Sequence, residues 1–240
     1  MQAAARGGDR MSLAEQFATV NEQVRLACER SGRDPRQVSV LPVSKTFGHE
    51  VVRQAMALGQ RRFAENRVQE MKEKALALND SSIEWVVIGY LQTNKVKEVV
   101  RYASQLQSLD RLELAQALDK RLQQAGRRLD VLVQVKSSDE ESKTGMAPEQ
   151  VPHFLKTIRD YDTLNVQGFM TVAENTDVQE RIRRCFERVR QLRDQCQDEL
   201  GCALPVLSMG MSADFELAIQ EGSTQLRIGS ALFGKRPPVR

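Results

Sequence analysis

The sequence predicts an α/β fold: a single (β/α)8 barrel of the TIM type with an additional N-terminal helix. Eight strand-sized runs alternate with helical segments along the chain. The runs are apolar on both faces, as strands of a parallel sheet covered by helices must be. A length of 240 residues suits one closed barrel and leaves no comfortable room for a second catalytic domain. An open doubly wound sheet also alternates strand and helix; the count of eight units favours closure.

Residues 1–10, MQAAARGGDR, are rich in Gly and Arg, lack the apolar core of a secretory signal, and are expected to form a disordered leader. From Met11 onward, Leu13, Phe17, Val20, Val24 and Ala27 recur at three- and four-residue steps, the period of a one-faced helix, which Ser31-Gly32 ends. Val38 to Ser44 is a β-branched run that reads as the first strand. Pro42 confines it to a place where no ladder donor is needed. Lys45 follows directly. A helix near 48–58, the run Arg62-Phe63-Ala64 and a charged amphipathic helix near 67–78 come next, and Trp85 to Ile88 is the third strand. Strands at 105–109, 129–135 and 165–170 then interleave with helices near 93–103, 111–124, 148–160 and 177–199. Pro205 to Ser208, a helix near 213–221 and Gln225 to Ile228 complete the set. The barrel is expected over residues 11–236, with 237–240 as a tail.

Composition narrows the function. Lys and Arg total 35 against 32 Asp and Glu, and a net charge of +3 gives no footprint for a phosphate backbone, so nucleic acid is not expected as a partner. The longest apolar stretches fall far short of the ~20 residues that a spanning helix needs. Cys28, Cys185, Cys196 and Cys202 show no CxxC spacing and the histidines are His49 and His153, so no metal site is expected. Cysteines without a framework fit a reducing cytoplasm, where they act as small buried apolar groups. The arginines near 181–193 are interleaved with Glu180 and Glu187, which suits a solvated outer face better than a protein-binding surface.

In a barrel of this type the active face lies at the carboxyl ends of the strands. Those ends are polar here: Ser44-Lys45-Thr46, Glu65-Asn66-Arg67, Gly89-Tyr90-Leu91-Gln92, Asp110, Ser208 to Ser212, and Arg227-Ile228-Gly229-Ser230. The loops after strands seven and eight commonly build a phosphate site, because small residues let backbone amides approach an anion. Ser212 stands before Ala213-Asp214-Phe215-Glu216 and is expected either to cap that helix or to face a phosphate. Lys45, on the last position of an apolar strand, points its stem inward at the mouth. Poor solvation there lowers an amine from about 10.4 and raises the uncharged fraction that can attack a carbonyl. A lysine beside a phosphate site suggests pyridoxal 5′-phosphate, which needs an amine for its aldehyde, donors for its phosphate and a partner for its ring nitrogen. Arg227 is the candidate for the last role, with a salt bridge to an acid such as Asp110 as its plainer alternative.

Five ordered motifs make the pattern specific: Val43-Ser44-Lys45-Thr46, Phe63 to Glu70, Ile88 to Lys95, Leu207 to Asp214, and Arg227 to Gly234. Over nearly everything from Met11 to Gly234 the chain resembles the pyridoxal phosphate homeostasis proteins. The resemblance implies a barrel like that of the alanine racemase N-terminal domain, usually found as a monomer, with the cofactor on Lys45 and Asn66 beside it. It implies that Ser212, Gly229 and Ser230 hold the phosphate and that Arg227 faces the ring nitrogen. Such proteins are carriers or buffers of vitamin B6 that influence amino-acid and keto-acid balance, with apo enzymes as recipients and no established reaction, so no catalytic residue is assigned. Three positions depart from the common pattern: Ala64 where glycine is usual, Val86 where histidine is usual, and Gln107 where histidine often precedes Ser-x-Asp. The rival is a racemase-like enzyme, which needs two acid–base groups on opposite faces of the substrate. In alanine racemase the second, a tyrosine, comes from an added domain of the partner subunit, and this sequence stops within a few residues of the last strand. Of Tyr90, Tyr102 and Tyr161, only Tyr90 lies at a strand's carboxyl end.

Overall fold

Eight strands, all parallel, run in the order β1-β8-β7-β6-β5-β4-β3-β2. They are β1 (Ser39–Pro42), β2 (Arg62–Glu65), β3 (Glu84–Val87), β4 (Ala103–Leu109), β5 (Leu129–Gln134), β6 (Leu164–Met170), β7 (Val206–Ser208) and β8 (Gln225–Ile228). The computed structural model describes residues 11–140 and 143–234; the expected leader at 1–10 and tail at 237–240 lie outside the described residues. The barrel closes between β1 and β2 through one bridge, Val43 to Ala64, where the Ser44 amide donates to the Ala64 carbonyl at 3.1 Å. The closure explains Pro42. The amides of Ser39 and Val43 donate across to β8, to the carbonyls of Thr224 and Ile228. Alternation therefore turns residue 42 towards β2, where pairing has not yet begun and the missing N–H costs no ladder bond.

Around the sheet lie α1 (Leu13–Arg30), α2 (His49–Ala57), α3 (Val68–Leu78), α4 (Val96–Tyr102), α5 (Leu112–Ala125), α6 (Val151–Ile158), α7 (Gln179–Leu200), α8 (Phe215–Gln220) and α9 (Ser230–Phe233). The additional helix, α1, starts in a capping box: the Ser12 hydroxyl accepts from the Glu15 amide, and the Glu15 carboxylate accepts from the Ser12 amide at 2.7 Å. Its buried stripe of Phe17, Val20, Val24 and Ala27 faces α2, α8 and α9. Phe17 meets Phe233 edge-on at 5.9 Å between centroids, and Phe233 in turn meets Phe47 at 5.6 Å.

Two details differ from the sequence expectation. The eighth helix begins at Phe215 rather than 213, because the Asp214 carboxylate accepts from the Met211 amide at 2.6 Å and holds residues 211–214 in a turn. Cys28, Cys185 and Cys196 are buried as expected, but Cys202 is exposed, since it follows the Gly201 cap of α7. Burial raises the Cys196 thiol to about 11, which leaves it inert at neutral pH. Among the described residues no helix is long and apolar enough to cross a membrane, and no group of three His, Cys, Asp or Glu could hold a metal.

The inside of the barrel is divided. A small apolar cluster of Leu41, Val43, Ala64 and Val86, with Ile88 packed against it, fills the part near the closing seam. The rest is a column of hydrogen bonds. Arg227 Nη1 donates to Ser208 Oγ at 2.9 Å, and Ser208 Oγ donates to Gln107 Oε1 at 2.7 Å. Gln107 Nε2 donates to Gln105 Oε1 at 2.8 Å and Gln225 Oε1 at 2.5 Å, and Arg62 Nη2 reaches Gln105 Oε1 from the opposite end at 2.8 Å. These side chains sit at alternate positions of their strands, so they turn inward while Leu106 and Leu226 turn out to the helices.

Candidate functional site

At the carboxyl ends of the strands opens a cavity of about 460 Å³, and Lys45, Asn66, Ser212, Arg227, Gly229 and Ser230 all line it. All six site residues expected from the sequence therefore meet on one wall-and-rim. A larger hollow of about 670 Å³ opens beside α7, but it is a surface groove among paired charges. There Arg181 meets Glu174 and Arg184 meets Glu180, and no lysine or strand-end glycine enters it. The smaller cavity carries the chemistry.

Each side chain is placed by its strand. Lys45 follows directly on the bridge that closes the barrel, and it is half-buried at the mouth. Asn66 follows β2, and a Cβ on Gly89 would lie 2.1 Å from the Asn66 carbonyl oxygen, so only glycine lets β3 pass it. Ser212 is not a helix cap, because α8 starts after Asp214; it lines the cavity wall. Gly229 and Ser230 bring β8 into α9 on the facing rim.

Arg227 is buried and makes three fixed bonds besides its place on the cavity. Nη1 donates to the Ser208 carbonyl at 2.6 Å and to the Ser208 hydroxyl, and Nη2 donates to the Thr171 carbonyl at 2.7 Å. Burial draws the guanidinium down to about 10, opposed by the Asp214 carboxylate. Burial in turn pushes Asp214 above the usual carboxylate range, against the Met211 amide and Arg227. Asp110, the acid named as a plainer partner for Arg227, pairs with Arg111 at 2.6 Å instead, and the acid whose charge acts on Arg227 is Asp214.

Beneath Lys45 lies a group that sequence reading missed. Lys74 Nζ donates to the Ser44 carbonyl at 2.8 Å and to Glu65 Oε1 at 2.5 Å, and the Ser44 hydroxyl donates to the same oxygen at 2.5 Å. Glu65 and Ser44 are fully buried and Lys74 nearly so. Glu70 accepts from the Thr46 amide at 2.9 Å. A signal existed: Lys74 stands on the inward stripe of α3 marked by Val68, Met71 and Leu78, where a lysine is out of place unless paired.

Comparison with known proteins agrees with this architecture. Residues 18–237 match the family model described as alanine racemase, N-terminal domain. The pyridoxal phosphate homeostasis protein of Aquifex aeolicus is 42% identical over 226 residues, which cover 94% of this chain and 99% of that protein. The protein of the same name from Pseudomonas aeruginosa is 39% identical over 225 residues, 94% of this chain and 96% of its own length. The chain belongs to the pyridoxal phosphate homeostasis protein family. Among solved structures, PipY of Synechococcus elongatus with PLP bound superposes with a TM-score of 0.83 at 31% identity, covering 93% of this chain and all of that one. Alanine racemase of Clostridium difficile, at 18% identity and a TM-score of 0.71 over 56% of its own chain, shares the fold. In this member of the homeostasis protein family the three unusual positions all face the barrel's interior. Ala64 and Val86 belong to the apolar cluster by the seam, and Gln107 is the middle of the hydrogen-bonded column.

Proposed function

We propose that this chain binds pyridoxal 5′-phosphate in the strand-end cavity and holds it as a Schiff base on Lys45. It then serves as a carrier or buffer in vitamin B6 homeostasis, influencing amino-acid and keto-acid balance rather than turning over a substrate. The observation that supports this most is the convergence of one lysine, two serines and one arginine on the lining of a single cavity of about 460 Å³. That donor set fits the group. When bound, the cofactor supplies an aldehyde that captures an amine and a ring that draws electrons once its nitrogen is protonated. Lys45 would supply the amine that this aldehyde captures, losing two protons as the carbonyl oxygen departs as water. Ser212, Gly229 and Ser230 would hold the phosphate, and Asn66 would stand beside the ring. Arg227, near 10, stays charged at neutral pH and opposes protonation of a ring nitrogen facing it. A ring kept unprotonated is a weak electron sink, which suits storage.

The racemase-like alternative lacks support at the cavity. Tyr90 lines it but is 56% exposed, with the Arg111 guanidinium stacked 4.8 Å from its ring centre. We read the protein as a monomer acting in the cytoplasm, with residues 11–236 as one binding unit and apo enzymes that use the cofactor as recipients.

Purified protein incubated with the cofactor is expected to be yellow, and borohydride should fix one adduct to Lys45, located by mass spectrometry. A colourless, unlabelled protein contradicts the proposal. Holo-protein given L-alanine should yield no appreciable D-alanine; rapid conversion favours the enzyme instead.

A further inference from the structure

We infer that Glu70 and Lys74, one turn apart on the inner face of α3, are positioning residues that clamp the backbone on both sides of Lys45. The inference rests on the proposal that Lys45 captures the aldehyde. Neither residue lines the cavity, so neither touches what the cavity holds. What they hold is the chain. On the N-terminal side, Lys74 Nζ takes the carbonyl of the peptide that joins Ser44 to Lys45, at 2.8 Å. The ammonium is itself anchored on Glu65 Oε1, which also receives the Ser44 hydroxyl. On the C-terminal side, Glu70 Oε2 takes the amide of Thr46 at 2.9 Å.

Thr46 gives the second bond its purpose. Its φ is +69°, a left-handed conformation that a β-branched residue strongly avoids. Thr46 and Asn79 are the two positive-φ residues other than glycine among the described residues. Asn79 sits at the C-terminal cap of α3, where such a conformation is ordinary. Thr46 follows the lysine directly, at the third position of a turn closed by the Phe47 amide on the Ser44 carbonyl at 3.1 Å, where glycine or asparagine is the usual residue and a β-branched one is strained. The turn after Lys45 is therefore a strained one kept in place by its surroundings, and the Thr46 amide donates to Glu70. Because α3 follows β2 immediately, the helix that grips residues 44 and 46 is tied to the strand that closes the barrel. Lys45 is thereby held at the mouth before any ligand arrives, which is how a rigid scaffold supplies orientation in advance.

The test follows capture at Lys45 separately from binding. The full-length chain is mixed with pyridoxal 5′-phosphate and quenched with borohydride at timed intervals, and mass spectrometry counts the adduct on Lys45. Equilibrium dialysis measures total cofactor held, and Trp85 fluorescence melts report folding. Glu70→Ala is expected to slow capture on the order of 10- to 100-fold, with a much smaller change in total cofactor held. Glu70→Gln, which keeps an acceptor oxygen, should restore most of the rate. The discriminating variant is Glu70→Ala combined with Thr46→Gly. Glycine adopts a left-handed φ without strain, so the double variant should recover the rate that Glu70→Ala loses. Lys74→Met should slow capture as Glu70→Ala does, with Lys74→Arg in between; if Lys74→Met does not fold, the Glu70 and Thr46 pair still decides. Parental capture by Glu70→Ala, or no recovery on adding Thr46→Gly, overturns the inference and leaves Lys45 as the attachment site. Absence of any Lys45 adduct in the unaltered chain overturns the proposed function itself.

Discussion

The two halves of the barrel are built to different rules. On one side β4, β5 and β6 are seven, six and seven residues long and pair with each other along much of their length. On the other side β7, β8, β1 and β2 have three or four residues each, and β1 meets β2 at a single bridge. The expected cofactor residues Lys45, Asn66, Ser212, Arg227, Gly229 and Ser230 all come from the short side, whereas the long wall lends the cavity Gln134 and Met170. The difference teaches where each property resides. Long strands paired over much of their length, with apolar outer faces, hold the fold together, and strands that stop early free backbone and side chains at the rim for chemistry. The short side then needs other ties, and it has them in the buried Ser44, Glu65 and Lys74 group and in α1 packed behind it.

That division can be broken in a graded way. Phe169 is fully buried in β6 and belongs to the main core. Replacing it with alanine should cost about 3–5 kcal/mol in urea unfolding, while capture of the cofactor at Lys45 persists wherever the variant remains folded. Loss of capture from a folded Phe169→Ala protein would erase the distinction between the halves.

Glu65→Gln probes the short side and comes next, at about 1.5–3 kcal/mol, because Lys74 exchanges a charged acceptor for a neutral one. Its pH dependence is the sharper readout. Burial pushes the Glu65 carboxyl above its usual range, against the pull of Lys74 and Ser44. A carboxyl raised in the folded state binds more protons there than in the unfolded chain. Its contribution is thus present below the unfolded value of about 4.3 and declines as pH rises through the folded one. Glutamine cannot ionise, so the advantage of the parent over Glu65→Gln should shrink as pH climbs from 4 upward. An advantage that grows instead means that Lys74 outweighs burial at the seam. The smallest effect belongs to Ser12→Ala, which removes the cap of α1 and should cost about 1 kcal/mol. Melting should fall slightly with no change in capture, since α1 supports the short side from outside.

Much of this was legible from the chain because strand interiors and strand ends differ in chemistry. Apolar β-branched runs announced the eight strands, and polar residues directly after them announced the rim, so Lys45 and Arg227 stood out as charged groups where burial begins. The start of α8 was misjudged by two residues because Asp214 bonds back to Met211, a local contact that propensity does not encode. α9 has four residues, too few for a period to register. Gln105, Gln107 and Gln225 are polar positions within their strands. They make sense only once Gln107 is known to lie beside Gln225, 118 positions away, and a local pattern carries no such information. The grip of α3 on residues 44 and 46 was hidden for the same reason.

The column beneath Arg227 has one further consequence. It consists of a hydroxyl, the carboxamides of Gln105, Gln107 and Gln225, and a guanidinium at each end. Carboxamides neither take up nor release hydrogen ions near neutrality, so this stack works as an insulator. It transmits orientation from floor to mouth but offers no relay of titrating groups, so protons reach anything seated above it from the open end.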